Sequence, residues 1–173
     1  MAIGPFIKAC RDFILFRTFP RVSLFGFRWL IYSHAERTRA AGSELQRYMA
    51  HWRTWSIEER RRHMKNEIEK RASGRYKRIY PFVYWVGERH LELFRALTVN
   101  GRHHDAPRHL KQARKYFSLA SDANRHEIGP LFYTGLSYEL ENDHRRARKY
   151  YRRALKLDRH DQRTRTRLAA LNT

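Results

Sequence analysis

Residues 128–161, IGPLFYTGLSYELENDHRRARKYYRRALKLDRHD, decide the fold. Small and aromatic residues recur there at helical spacing on both sides of a polar turn. In the second half, Ala147, Tyr151 and Ala154 stand three or four positions apart and therefore share one face of a helix. Arginine or lysine fills most of the remaining positions. The stretch predicts two helices joined by a turn, the second with one inward face and a basic outer surface.

Helical spacing also recurs along the rest of the chain. Runs that alternate polar and apolar residues are absent from the sequence, which predicts an all-α fold of helical hairpins. Two capping boxes, Ser43 with Gln46 and Ser56 with Glu59, each indicate the start of a helix. The predicted helices are 3–17, 43–55, 56–71, 84–99, 106–122, 128–141, 144–158 and 161–171.

The predicted helices group into three segments. Residues 1–42 form a basic, aromatic-rich N-terminal arm that ends in a linker, RTRAAG at 37–42. Residues 43–83 form a charged helical segment, and 84–173 form a C-terminal helical domain. We expect Pro81 to interrupt the aromatic run between these last two segments.

The charge balance indicates the kind of partner. The chain has 37 lysine and arginine residues against 17 acidic ones, a net charge of +20. Solubility alone requires a net charge of only roughly 2–8. The excess predicts an anionic partner, which could be nucleic acid, an acidic membrane or an acidic protein surface. The single cysteine excludes an intramolecular disulfide and a cysteine-based zinc site.

Residues 128–161 resemble the tetratricopeptide repeat, whose unit of about 34 residues is a pair of antiparallel helices, A and B. The residues that carry the resemblance are Leu131, Gly135, Tyr138, Ala147, Tyr151 and Ala154. One repeat earlier, Ala113, Phe117 and Ala120 match the helix B pattern after an extended loop. The resemblance therefore covers about residues 84–171.

The resemblance implies that helix A lines a concave groove that binds protein. The implied groove residues are Phe132, Tyr133, Leu136, Glu139 and Leu140. A groove this apolar would take an amphipathic helix, from a partner or from the N-terminal arm of this chain. The chaperone-tail binders of the family hold a C-terminal carboxylate with lysine and asparagine. Phe132 and Leu136 occupy those positions here, which argues against that function.

Clustered cations predict a surface that binds RNA or acidic lipid headgroups. The predicted residues are Arg75, Lys77, Arg78, Arg145, Arg146, Arg148, Lys149, Arg152, Arg153, Lys156, Arg163, Arg165 and Arg167. A plain solvated helix is the alternative, but such a helix interleaves acids, and residues 145–167 contain only Asp158 and Asp161. Tyr76, flanked by the first three cations, suits base stacking or a membrane interface equally well.

No arrangement of residues predicts catalysis, a cofactor or a metal centre. His103, His104, Asp105 and His109 could form a metal cluster, but loop histidines near arginines more often contact solvent or phosphate. We therefore expect a non-enzymatic protein without a cofactor, a metal or a small-molecule substrate.

The N-terminal composition indicates a location. The first 33 residues contain five basic residues and one acid, Asp12, which is typical of a mitochondrial targeting segment. A basic amphipathic arm is the alternative. No apolar run reaches the roughly 20 residues that a transmembrane helix needs. We expect the protein in the mitochondrial matrix or at the matrix face of the inner membrane.

Three function hypotheses follow. Repeats of this family usually need three or more units for stability, and this chain has about one and a half, which favours a subunit of a larger assembly. The first hypothesis is a structural subunit of a mitochondrial ribosome that contacts RNA and other subunits. The second is an accessory subunit of an inner-membrane complex, such as a respiratory complex or ATP synthase, that contacts acidic lipids. The third is an adaptor that binds a helical peptide.

Overall fold

The computed structural model describes residues 24–171, with side-chain positions from residue 33 onward. All regular structure in this range is helical, which confirms the all-α prediction. The helices are α1 Leu24–Trp52, α2 Ile57–His63, α3 Glu69–Ser73, α4 Tyr80–Val99, α5 Ala106–Ala123, α6 Gly129–Glu139, α7 His144–Leu157 and α8 Gln162–Ala170. A π-helical turn, Met64–Ile68, joins α2 to α3.

None of these helices has the combination of length and apolar character needed to cross a membrane. The predicted helix 3–17 lies outside the described residues.

Helix α1 contains the boundary between two compact units of the chain, which falls between residues 39 and 40. The prediction of a linker at 37–42 is wrong, because these residues are helical. Ala41 is 1% exposed, and its burial offsets the cost of Gly42 within a helix. The three predicted segments, with their boundaries after residues 42 and 83, stay a prediction.

The predicted start signals have different outcomes. Ser56 caps α2 as expected, since its hydroxyl accepts from the Glu59 amide and the Glu59 carboxylate accepts from the Ser56 amide at 2.8 Å. Ser43 instead lies inside α1, where its hydroxyl donates to the Ala40 carbonyl at 2.9 Å. Pro81 does not interrupt the aromatic run; it lies in the first turn of α4, where its missing amide hydrogen costs nothing.

An aromatic cluster joins the end of α1 to α4. Trp52 is 1% exposed, and its ring meets the Trp85 ring edge to face with 5.6 Å between centroids. The Trp52 indole donates to the Glu92 carboxylate at 3.1 Å, and Arg60 pairs with the same carboxylate at 2.8 Å. Because the indole N–H is satisfied, the Trp52 ring is buried without an unpaired donor of its own.

Two helical hairpins, α4–α5 and α6–α7, build a second cluster of buried side chains, and each has a glycine under an aromatic ring. A Cβ on Gly135 would lie 2.7 Å from the Tyr151 ring, and one on Gly87 would lie 2.7 Å from the Phe117 ring. Both rings are fully buried. Gly87 therefore corresponds to Gly135. The match is not evident from the sequence, because Gly87 and Phe117 are 30 residues apart whereas Gly135 and Tyr151 are 16 apart.

We expect Gly135→Ala to lower the free energy of unfolding by about 1–3 kcal/mol, because the new methyl group must displace the buried Tyr151 ring. Urea unfolding followed by circular dichroism measures the change. Gly42→Ala is the matched control: nothing lies within 4 Å of its Cβ position, so helix propensity should make it neutral or stabilising by up to about 1 kcal/mol. Equal destabilisation by both variants would contradict the role of close packing.

Candidate functional site

Helix α7 presents a basic surface because its inward face is fully used by the core. Asp143 caps the helix by accepting from the Arg146 amide at 2.9 Å. Ala147, Tyr151 and Ala154 are each 0% exposed. Six of the seven predicted cations on α7 are exposed, and the seventh, Arg148, is half-buried.

The cations of α7 and α8 divide into engaged and free groups. Arg148 donates to the Leu171 carbonyl at 2.8 Å, Arg167 pairs with Glu139 at 2.9 Å, and Arg146 pairs with Asp143 at 3.4 Å. Arg153 lies over the Tyr150 ring and Arg163 over the Phe132 ring. Among the cations predicted on α7 and α8, those with neither an ion pair nor a ring contact within the described residues are Arg145, Lys149, Arg152, Lys156 and Arg165.

Four of the free cations form one line, which we call the α7 stripe: Arg145, Lys149, Arg152 and Lys156. They follow each other at intervals of four, three and four residues, so they lie on one face of the helix. At 1.5 Å per residue, the line is about 16 Å long. The geometry therefore gives a row of unpaired positive charges that successive phosphates of one strand could reach.

The second predicted cluster, Arg75, Lys77 and Arg78, lies in the turn between α3 and α4. The three cations are exposed, but Tyr76 between them is 0% exposed and belongs to the aromatic cluster. The Tyr76 hydroxyl donates to Glu44 at 3.1 Å. The prediction that bases stack on Tyr76 is therefore wrong, because the ring is part of the core.

The groove predicted on helix A is closed by the C-terminal helix. Phe132 and Leu136 are 4% and 5% exposed, and the Arg163 guanidinium of α8 lies 4.0 Å from the Phe132 ring centroid. Leu168 and Leu171 pack against the same cluster. The prediction that Phe132 and Leu136 are open to a partner is wrong, because this chain already covers them.

The other three groove residues are partly exposed but have their own contacts. Tyr133 stacks on Phe117 with 5.4 Å between ring centroids. Glu139 accepts from the Tyr151 hydroxyl at 2.6 Å, besides its ion pair with α8. Leu140 packs at the edge of the second cluster. What remains of the predicted groove is thus three half-buried side chains, each already engaged by neighbours in this chain.

The structure separates the four residues of the possible metal cluster. His103 and His104 are exposed, whereas Asp105 pairs with Arg61 at 2.9 Å and with Arg102 at 3.0 Å. His109 instead points into the protein. Within residues 24–171, no group of three or more histidine, cysteine or acidic side chains is placed to hold a metal ion.

His109 forms a buried pair that the sequence analysis did not find. Its Nδ1 lies 3.0 Å from Nδ1 of His90, and His90 Nε2 lies 3.3 Å from a carboxylate oxygen of Glu69. One Nδ1 must donate and the other accept, so the two rings cannot both be protonated. Burial lowers the pKa of both histidines, to about 4 for His109, and the nearby Arg108 adds to the effect.

We expect the protein to lose stability as the pH falls from about 6.5 to 4. In that window the unfolded histidines bind protons that the folded pair excludes, so acid favours the unfolded state, by on the order of 2 kcal/mol. Urea unfolding at a series of pH values measures the slope. His109→Gln should flatten it, whereas His104→Gln, at an exposed position, should not. Identical slopes in both variants would contradict the assignment.

Comparison with known families agrees with the geometry of the second hairpin. Residues 130–161 match the model of the family described as Tetratricopeptide repeat. No curated protein and no solved structure matches the chain. The matched range comprises α6, α7 and the turn that leads to α8, and its glycine-under-tyrosine contact is the close approach that such a helical pair requires. The C-terminal half of the chain therefore carries a tetratricopeptide repeat.

Proposed function

We propose that the protein is a non-enzymatic scaffold subunit of a large assembly and that the α7 stripe binds the phosphates of RNA. Repeats of this family are typically non-enzymatic modules that mediate contact between proteins. The observation that supports RNA as the additional partner is the stripe itself: four exposed cations on one helix face, none of which makes an ion pair within the described residues.

Electrostatic energy supports an anionic partner. Like charges three or four residues apart destabilise a helix by a few tenths of a kcal/mol per pair, and the stripe contains three such pairs in succession. Phosphates would remove this repulsion and release their own counterions, which drives the association of basic proteins with nucleic acids. The net charge of +20 attracts a polyanion at long range.

The surroundings of the stripe favour RNA over lipid. A helix that lies in a membrane interface places large apolar side chains toward the lipid, beside its cations. On α7 the apolar face is buried in the core, and the one large apolar side chain that is substantially exposed is Leu157, at 45%. The exposed surface thus suits phosphates in water better than headgroups above an acyl layer.

Within this proposal, the assembly is a mitochondrial ribosome and the location is the mitochondrial matrix. Support comes from the high arginine content, the small size, the basic N-terminal composition and a single matched repeat. The second candidate is an accessory subunit of an inner-membrane complex. The aromatic and arginine-rich sequence at 16–32, FRTFPRVSLFGFRWLIY, supports this candidate. An adaptor for a helical peptide is the third, and closure of the helix A groove disfavours it.

We expect neutralisation of the stripe to reduce the salt dependence of RNA binding. Arg145→Gln, Lys149→Gln, Arg152→Gln and Lys156→Gln combined should reduce the magnitude of the slope of log K against log salt by roughly three to four for an RNA duplex. The matched control replaces two other exposed arginines and two other exposed lysines, Arg53, Arg62, Lys65 and Lys70, by glutamine.

Fluorescence anisotropy titrations at several salt concentrations give both slopes. If the control changes the slope as much as the stripe variant does, binding follows net charge alone and the proposed site is wrong. If the wild-type chain binds anionic vesicles but not RNA, the lipid candidate replaces the RNA candidate.

The assembly itself is tested by sedimentation of the native protein from an organelle extract in mild detergent. A ribosomal subunit should sediment in a heavy peak that ribonuclease collapses, because RNA holds the particle together. A heavy peak that survives ribonuclease would instead indicate the membrane complex. Sedimentation as a free monomer would contradict both.

A further inference from the structure

A second recess lies on the face of α6 opposite the closed groove. We call it the α5–α7 groove; its volume is about 660 Å³. Leu131, Thr134 and Tyr138 of α6 form its floor, and residues of α5 and α7 form its walls. In helical projection these three floor positions lie roughly 100–160° from Phe132 and Leu136, so the two recesses are on different faces of α6.

The groove is open because α5 and α7 each pack on α6 rather than mainly on one another. The α5 wall carries small hydroxyl residues, Ser118 and Ser121, at the level of the floor. Side chains of this size leave the space between the two helices unfilled. No segment among residues 24–171 occupies it.

The floor is apolar in character. Leu131 is 9% exposed, and Phe117 behind it is fully buried. The Thr134 hydroxyl donates to the Pro130 carbonyl at 2.8 Å, so its hydrogen is already used within α6. An apolar side chain of a ligand could therefore be buried against Leu131 without unpairing the Thr134 hydroxyl.

The walls are positively charged. Lys111 is exposed and has neither an ion pair nor a hydrogen bond within the described residues, and Lys115 lies on the same wall. Arg153 stands on the α7 side, over the Tyr150 ring. The lining contains a single acid, Asp122. Charge complementarity thus requires an acidic occupant.

The aromatic rings of the groove are not available to nucleobases. Tyr138 and Tyr150 stack on each other with 5.5 Å between centroids. Arg114 lies 4.5 Å from the Tyr138 centroid, and Arg153 lies 5.3 Å from the Tyr150 centroid. Since stacking on free ring faces provides much of the affinity for single-stranded nucleic acid, this groove favours a peptide.

We propose that the α5–α7 groove binds a short, extended, acidic segment of a partner protein. One apolar side chain of the segment rests on Leu131, and its carboxylates face Lys111, Lys115 and Arg153. The α5 wall from Lys111 to Asp122 is about 16 Å long, which corresponds to about five extended residues. The proposal does not depend on RNA binding by the α7 stripe.

A fluorescein-labelled peptide, DELDFDE, tests the proposal by fluorescence anisotropy with the full chain. Lys111→Glu should weaken peptide binding about ten-fold, because it reverses a charge beside the bound carboxylates. Lys149→Glu is the matched control, since it makes the same change at an exposed lysine of the α7 stripe. It should change peptide affinity less than two-fold but weaken binding to an RNA duplex.

A second variant separates shape from charge. Ser118→Trp places a large ring at the exposed rim of the groove without changing the net charge, and should abolish peptide binding while leaving RNA binding intact. Circular dichroism melts of all variants confirm that the fold is kept. Three results would overturn the proposal: no binding of the peptide by the wild-type chain, equal loss in both lysine variants, or loss of RNA binding alone in Ser118→Trp.

Discussion

The close approach of helices within each hairpin is the constraint on which the rest of the structure depends. Gly135 lets the Tyr151 ring lie against the backbone of α6, and Gly87 does the same for Phe117 on α4. With any side chain there, the paired helix would have to move outward and the buried rings would lose their contacts. The tetratricopeptide repeat at 130–161 is thus one of two hairpins built on the same contact.

This contact also determines which positions of α7 can carry charged side chains. Because α7 uses Ala147, Tyr151 and Ala154 inward, most of its other positions face solvent and can carry cations. Helix α8 then covers the exposed side of α6, using Arg163 over an aromatic ring and Arg167 on Glu139. Arginine therefore has two roles in this half of the protein, since some residues close the core and others remain free on the surface.

The sequence predicted those features that depend on local spacing. Helices α5 to α8 begin and end within about two residues of their predicted bounds, since capping residues, turns and apolar periodicity all lie within the segments themselves. Two of the misses are tertiary. RTRAAG at 37–42 was predicted to be a linker, but this stretch is helical and Ala41 is buried. Tyr76 was predicted to be available beside its cations, but it is buried in the core.

The sequence by itself determined an all-α chain, one tetratricopeptide repeat and a basic outer surface on α7, because helical periodicity and charge are properties of neighbouring residues. Only the tertiary structure decided which surfaces are open. Helix α8 closes the face that the repeat resemblance had implied to be the groove, while the gap between α5 and α7 leaves another recess. Both depend on contacts between residues far apart in the chain, and the periodicity of a single helix does not encode such contacts.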